Sequence, residues 1–347
     1  LFCFTFTIVM NSSIRNIIIG LGVLLSSSLL AQDIHFSQFD LSPINLNPAL
    51  TGQFVGDYRF IGNYRTQWSS VTVPYNTFSF GADARNFLPQ KNYAGGIQIN
   101  QDKAGDSRFK TFQANVSGSY LMPISEDSTQ NLSFGLQTGV TNKNIAYDPL
   151  YFDVQYDGYA YNPNLPTQEN FTKSSKTYVN LNSGIAYFNQ IEKRKSIGAG
   201  VALFNITKPN QSFYNESEVK LDRRLVIHAN AEWKVSDKIN VLPSLLYMRQ
   251  GKFSEFNFGG SAKYILTDFI GLYRTVWLGM CYRNQDAGFL TAGMDYDNWK
   301  VGISYDINTS SLVPASRKRG GLELAVIYII NKTPFKRIQH RVCPNYI

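Results

Sequence analysis

Segments of about ten residues in which apolar and polar side chains alternate recur along this chain, and that rhythm limits its fold more than any other feature. Within 58–68, Tyr58, Phe60, Gly62, Tyr64 and Trp68 share one face, while Arg59, Asn63, Arg65 and Gln67 share the other. A strand points successive side chains to opposite faces, so one face suits lipid and the other suits water. Val179, Leu181, Ile185 and Tyr187 alternate with Asn180, Asn182 and Gly184 in the same way. So do Trp299, Val301, Ile303, Tyr305 and Ile307 with Lys300, Gly302, Ser304 and Asp306. A tilted strand of roughly ten residues crosses a bilayer. Such segments lie near 58–68, 74–86, 93–103, 109–122, 130–142, 177–189, 196–206, 221–235, 239–250, 253–265, 274–283, 286–296, 298–307 and 319–330. These make 14 candidates, and bacterial single-chain barrels need an even number. A soluble sandwich shows similar alternation, so the choice rests on what accompanies it.

An export signal accompanies it. Arg15 is followed by the apolar run 17–25, then by small residues and Ala31-Gln32. Basic residue, short apolar stretch and small residue at the cut are the order of a secretory leader. Met10 reads as the start, residues 1–9 as upstream sequence, and cleavage falls after Ala31. No other run is long and apolar enough for a spanning helix. Aromatics reach 14% and charged residues only 17%, where soluble domains carry about 25% charge. Transmembrane barrels need aromatic girdles and small polar lumen residues. The expected fold is all-β: a transmembrane antiparallel up-and-down barrel of about 14 strands in the outer membrane.

The net charge of +8 is spread along the chain, which reads as loop and lumen charge rather than a nucleic-acid surface. Cys281 and Cys343 are permitted a bridge in the oxidising periplasm but make no disulfide framework.

The connections sort into two classes. Asp297-Asn298 and Ser236-Asp237-Lys238 are tight turns, expected in the periplasm, whereas 144–176, 207–220 and 308–318 are longer and expected outside. Residues 32–56 carry Pro and Asn punctuation against a strand and are expected to plug the periplasmic mouth or lie beneath it. The barrel spans 57–330, and a basic tail, 331–347, follows on the periplasmic side.

No catalytic or cofactor constellation stands out. His35, His228 and His340 lack partners at metal-ligand spacing. Gly259-Gly260-Ser261-Ala262-Lys263 lacks the last glycine of a nucleophile elbow. Gly198-Ala199-Gly200 has Leu203 where a dinucleotide fingerprint needs glycine. Asp148, Asp153, Asp157 and Glu169 match no calcium-loop spacing and read as loop carboxylates. The expectation is a chain without enzymatic activity, cofactor or metal.

Several motifs resemble one family. Gln32-Asp33-Ile34-His35-Phe36-Ser37-Gln38-Phe39, then Asn47-Pro48-Ala49-Leu50-Thr51-Gly52, resembles the start of PorP/SprF proteins of the type IX secretion system of Bacteroidota. Tyr64-Arg65-Thr66-Gln67-Trp68, Leu132-Ser133-Phe134-Gly135-Leu136, Phe152-Asp153-Val154-Gln155, Gly302-Ile303-Ser304-Tyr305-Asp306, Leu312 and Cys343-Pro344 follow in the family's order. Gly321-Leu322-Glu323 departs from the family's Ser-His-Glu, which bears on lumen or rim contacts of the last strand.

The resemblance implies a non-catalytic barrel that assists secretion or surface anchoring of large cargo, such as adhesins of gliding motility, by binding a type B C-terminal domain. It also implies contact with other type IX components and with outer-membrane lipid. Candidate partner-binding residues are Asp153, Tyr156, Asp157, Tyr159, Tyr161, Phe213, Tyr214, Arg317 and Arg319. Arg59, Arg65, Gln67 and Tyr178 are candidates to fill the lumen or hold a plug. A passive channel or small-molecule transporter is the alternative.

Overall fold

A computed structural model describes residues 33–67, 73–88, 92–105, 107–147, 150–169, 173–214, 216–269, 272–310 and 313–332. The expected leader, Cys343 and most of the basic tail lie outside these residues. The wall begins with β1 (Tyr58–Gln67), β2 (Tyr75–Ala84), β3 (Tyr93–Ala104), β4 (Phe109–Pro123), β5 (Gln130–Asn144), β6 (Ser175–Glu192) and β7 (Lys195–Phe204). It continues with β8 (Arg224–Lys234), β9 (Ile239–Gln250), β10 (Phe253–Phe269), β11 (Leu272–Arg283), β12 (Ala287–Tyr296), β13 (Trp299–Asn308) and β14 (Arg319–Ile330). Each strand pairs with its sequence neighbours, and β1 pairs antiparallel with β14, from Tyr58 against Ile330 to Gln67 against Gly321. The sheet is a closed barrel of 14 strands, so no edge is left unpaired.

Alternation explains the wall. Val116, Leu136, Val140, Val179, Leu278 and Met280 point outward and are exposed. An apolar band of that extent is tenable only against lipid or another apolar surface. Aromatic residues flank it. Tyr93 and Tyr120, with ring centroids 5.0 Å apart, mark one rim together with Trp299 and Tyr328, 4.3 Å apart. Phe258 and Tyr282, 5.8 Å apart, mark the other. Such girdles match the two interfaces of a bilayer.

The two ends differ. β1 starts and β14 finishes at one end, here the turn end, which also carries the short β6–β7, β8–β9 and β12–β13 turns. The opposite loop end carries 145–174, 205–223 and 309–318. At the loop end β8 begins three residues later than its alternation suggests, at Arg224. Leu221 is instead buried and its amide donates to the Pro209 carbonyl, 2.9 Å.

The N-terminal segment is a plug, and it reaches further than the turn-end mouth, where Gly52, Gln53 and Phe54 bond Asp83, Asn131 and Arg85: it runs through the whole lumen. Ile34–Gln38 contact loop-end residues of β1, β8, β10, β13 and β14, whereas Thr51 and Gly52 contact turn-end residues of β2 and β4. Between them come three short helical turns, Phe39–Leu41, Pro43–Leu46 and Pro48–Leu50. Asn and Pro, which argue against a strand here, supply the turn chemistry. Pro43 and Pro48 begin their turns, and the Asn47 side chain accepts from the Ala49 amide, as an N-cap does.

Wall glycines make room for this plug. A Cβ at Gly135 would strike the backbone of Pro48 and Ala49, and one at Gly184 or Gly200 would strike Asn47. Gly135→Val is therefore expected to cost about 1–3 kcal/mol through overpacking, read as a lower unfolding midpoint in detergent. Gly288→Ala, which meets nothing within 4 Å, should leave that midpoint unchanged.

Candidate functional site

The lumen holds the plug by charge at both ends and by apolar contact between. At the loop end Arg65 sits 2% exposed, its guanidinium 3.1 Å from Asp306 and donating to the His35 carbonyl at 2.8 Å. Glu323 accepts from the amides of Ser37 and Gln38, both at 2.8 Å. Arg283 donates to Ser37 Oγ at 2.7 Å and pairs with Glu255 at 3.3 Å, and His35 Nε2 lies 3.3 Å from the other oxygen of Glu255. At the turn end Arg59 binds Asp83 through two hydrogen bonds, 3.0 and 2.6 Å, and donates to the Leu50 carbonyl at 2.9 Å. Asp83 also accepts from the Gly52 amide, 2.7 Å.

Arg59 and Arg65, singled out in the sequence, thus clamp the two ends of the plug. Gln67 is half-buried at the end of β1, opposite Gly321. Tyr178 is buried at the loop end, its ring 5.8 Å from Lys143 Nζ, which reaches Gln211 of the 205–223 loop at 2.8 Å. Through Lys143 it is linked to that loop.

Alternation alone missed the apolar part of the lumen. Phe39 and Leu46 pack against Ala202, Phe204, Val226, Leu246 and Met248. Leu41 and Ile44 pack against Ile61, Ala325 and Ile327. These wall residues point inward, where a water-filled barrel would carry polar groups. The available signal was apolar residues on both faces of one strand, as in Leu245-Leu246 and Val226-Ile227. A further polar cluster, with Lys263 3.3 Å from Glu232 and 3.6 Å from Asp295, fills the wall of β8–β12 near the turn end. A cavity of about 80 Å³ remains beside Phe39–Leu41, lined by Asp40, Lys263, Cys281 and Lys300 among others. Among the described residues, no cluster of His, Cys, Asp or Glu is arranged to hold a metal ion.

The loop end carries the exposed candidates. Tyr156 and Tyr161 form an antiparallel bridge, closed by the Asp157 amide on the Ala160 carbonyl at 3.1 Å. The amides of Ala160 and Tyr159 both donate to Asp157 Oδ1 at 2.9 Å and hold that carboxyl below its usual range. Gly158 sits at φ +101°, a conformation that favours glycine. The small hairpin projects Tyr159, 95% exposed, with Tyr156 and Tyr161 beside it, and Tyr151 stacks edge-on to Tyr161 at 4.6 Å. Asp153 is exposed at its base. Phe213 is half-buried, 6.4 Å from Phe109, while Tyr214 is exposed. Arg317 and Arg319 are exposed at the start of β14. Hairpin, 205–223 loop and β13–β14 loop are thus brought to one end of the barrel.

The model of the type IX secretion system membrane protein PorP/SprF matches residues 28–328, most of the chain. The chain belongs to the PorP/SprF family. Family membership and a closed barrel with an apolar outer band make it a type IX secretion protein of the outer membrane. At 321–323, Gly321 is buried, Leu322 faces outward and Glu323 holds the plug. A search of curated proteins finds no match. Solved structures with similar architecture include the Pseudomonas putida toluene transporter TodX, at 10% identity and TM-score 0.48 over 86% of this chain and 95% of that one. The CymD monoaromatic hydrocarbon channel gives 10%, 0.46, 84% and 93%. A Pseudomonas aeruginosa FadL homologue gives 9%, 0.42, 81% and 92%. At such TM-scores none of these likenesses bears on function.

Removing Arg65 would leave Asp306 and Glu323 buried without their main counter-charge. Arg65→Ala is expected to cost about 3–5 kcal/mol, measured by denaturant unfolding in detergent. Asp306→Asn introduced into that variant should recover part of the loss.

Proposed function

We propose that this PorP/SprF barrel is a non-catalytic docking protein. It assists export or surface anchoring of large type IX cargo by binding the cargo's C-terminal domain, of the type B kind, at the loop-end mouth. The observation that carries this reading is the pairing of a lumen occupied by the chain's own plug with an exposed, tyrosine-rich hairpin at one mouth. A passage for solutes needs an open, wet lumen, whereas this wall is apolar where it meets Phe39, Leu41, Ile44 and Leu46. Tyrosines with Asp, Gly and Asn around them make large amphipathic contacts at low entropic cost, as antibody loops do. The outward direction of the loop end follows the usual asymmetry of short periplasmic turns and long outer loops. Other type IX components would then be met at the turn end.

Replacing Tyr156, Tyr159 and Tyr161 by Ser should leave the barrel folded and strip one class of large protein from the cell surface. Surface proteomics of that strain and of the deletion strain makes the test, and an unchanged surface in the deletion strain sinks the proposal. The competing reading, a channel or small-molecule transporter, predicts a large steady conductance in planar bilayers. The docking reading predicts little conductance from the intact chain.

A further inference from the structure

The route of the plug has a consequence for the outer face. β1 starts at the turn end, yet Ile34 and His35 lie at the loop end, because residues 34–52 climb the full lumen. The Ile34 carbonyl accepts from Arg224 at 2.9 Å and the His35 carbonyl from Arg65 at 2.8 Å, both donors near the loop ends of their strands. Ile34 and His35 are half-exposed, whereas Phe36 to Phe39 are buried. Among the described plug residues, Asp33, Ile34 and His35 are the half-exposed ones at that mouth.

The rim around this end is basic. Lys252 in the β9–β10 turn and Arg317, Lys318 and Arg319 before β14 are exposed. Three acids on the same side are inside and engaged, Glu255 with His35 and Arg283, Asp306 with Arg65, and Glu323 with the plug amides, whereas Asp33 and Asp222 are half-exposed and the loop acids Asp153, Asp157, Glu169, Glu216 and Glu218 are exposed. Asp286, half-exposed, pairs with Arg283 at 2.9 Å. Contact is continuous from rim to plug. Thr309 donates its amide to the Asp286 carbonyl at 2.8 Å, Asp286 pairs with Arg283, and Arg283 donates to Ser37.

We infer that Ile34 and His35, with the basic rim of Lys252 and Arg317–Arg319, form a second docking face at the outer mouth, for an acidic segment of the exported partner. The inference rests on the docking function proposed above and adds to it the plug's own end as a contact. Exposed cations steer and position an anionic partner, with a strength that falls as salt rises. The tyrosine hairpin supplies apolar area, and this face supplies charge.

Cysteine labelling in live cells tests it. Ile34→Cys is treated with a membrane-impermeant maleimide, with Asp157→Cys as the marker of the outer loops, Ser236→Cys as the marker of the turn end, and the parent chain as the blank. Ile34→Cys should label on intact cells alongside Asp157→Cys, and Ser236→Cys only after the outer membrane is opened. Labelling of Ile34→Cys only after opening overturns the inference. Shielding tests the partner. In cells that secrete normally, Ile34→Cys should label several-fold less than in cells with a disabled type IX translocon. Reversing Arg317, Lys318 and Arg319 to Glu should restore labelling. Lys252→Cys repeats the measurement on a barrel whose plug is untouched. Equal labelling in both backgrounds overturns the docking face, and if deletion of the chain still empties the surface of cargo, the proposed function stands without it.

Discussion

Buried carboxylates at the loop end of the lumen impose the condition that the rest of the structure meets. Asp306, Glu323 and Glu255 are each less than a tenth exposed. A lone buried ion costs several kcal/mol, and the cost is offset only by near-complete pairing and hydrogen bonding. Arg65 and Arg283 provide the counter-charge, but Glu323 is completed by the Ser37 and Gln38 amides, and Arg283 by the Ser37 hydroxyl. The wall closes its own electrostatics only with the plug inside, so the plug belongs to the folded barrel rather than being an appendage.

The wall holds the plug through its main chain as well as its side chains. Arg224, Arg65, Asn63, Arg59 and Ser119 donate to the carbonyls of Ile34, His35, Leu41, Leu50 and Thr51. Glu323 and Asp83 accept from three plug amides. Side-chain contacts run the length of the plug, from His35 with Glu255 and Ser37 with Arg283 to Thr51 with Ser117. Asn45 bonds Ser79 and Asn100, Asn47 bonds the Ile185 carbonyl, and Ala49, fully buried, fits over Gly135. The Asn-x-Asn-Pro-Ala run and the glycine in Leu-Ser-Phe-Gly-Leu thus serve one joint.

The wall was legible because a period of two is a geometric necessity of strands. β9 and β14 fall where alternation puts them, and most other strand ends lie within about two residues of the reading, the usual uncertainty of such boundaries. Arg59 and Arg65 were legible as lumen residues by the same parity. The plug's path was not, because short helical turns carry no period and their direction is fixed only by contacts remote in sequence, such as Ser37 with Glu323. Tyr178 was legible as a lumen residue by parity too. What parity does not describe is the loop that Lys143, beside its ring, reaches at Gln211.

Apolar packing fills the lumen where the plug meets the wall. Each buried aromatic or aliphatic side chain contributes about 1.5–3 kcal/mol by leaving water, so Phe39, Leu46, Leu41 and Ile44 together oppose any spontaneous loss of the plug. The exposed contacts gather at the loop end, where the chain places tyrosines on a hydrogen-bonded hairpin and arginines at the start of β14. A rigid wall below and adaptable polar and aromatic groups above is the arrangement in which binding energy is gained at the mouth without deforming the barrel. On the docking function proposed above, the packing of the lumen is a condition for recognition at its rim, because contacts made there act against a filled barrel.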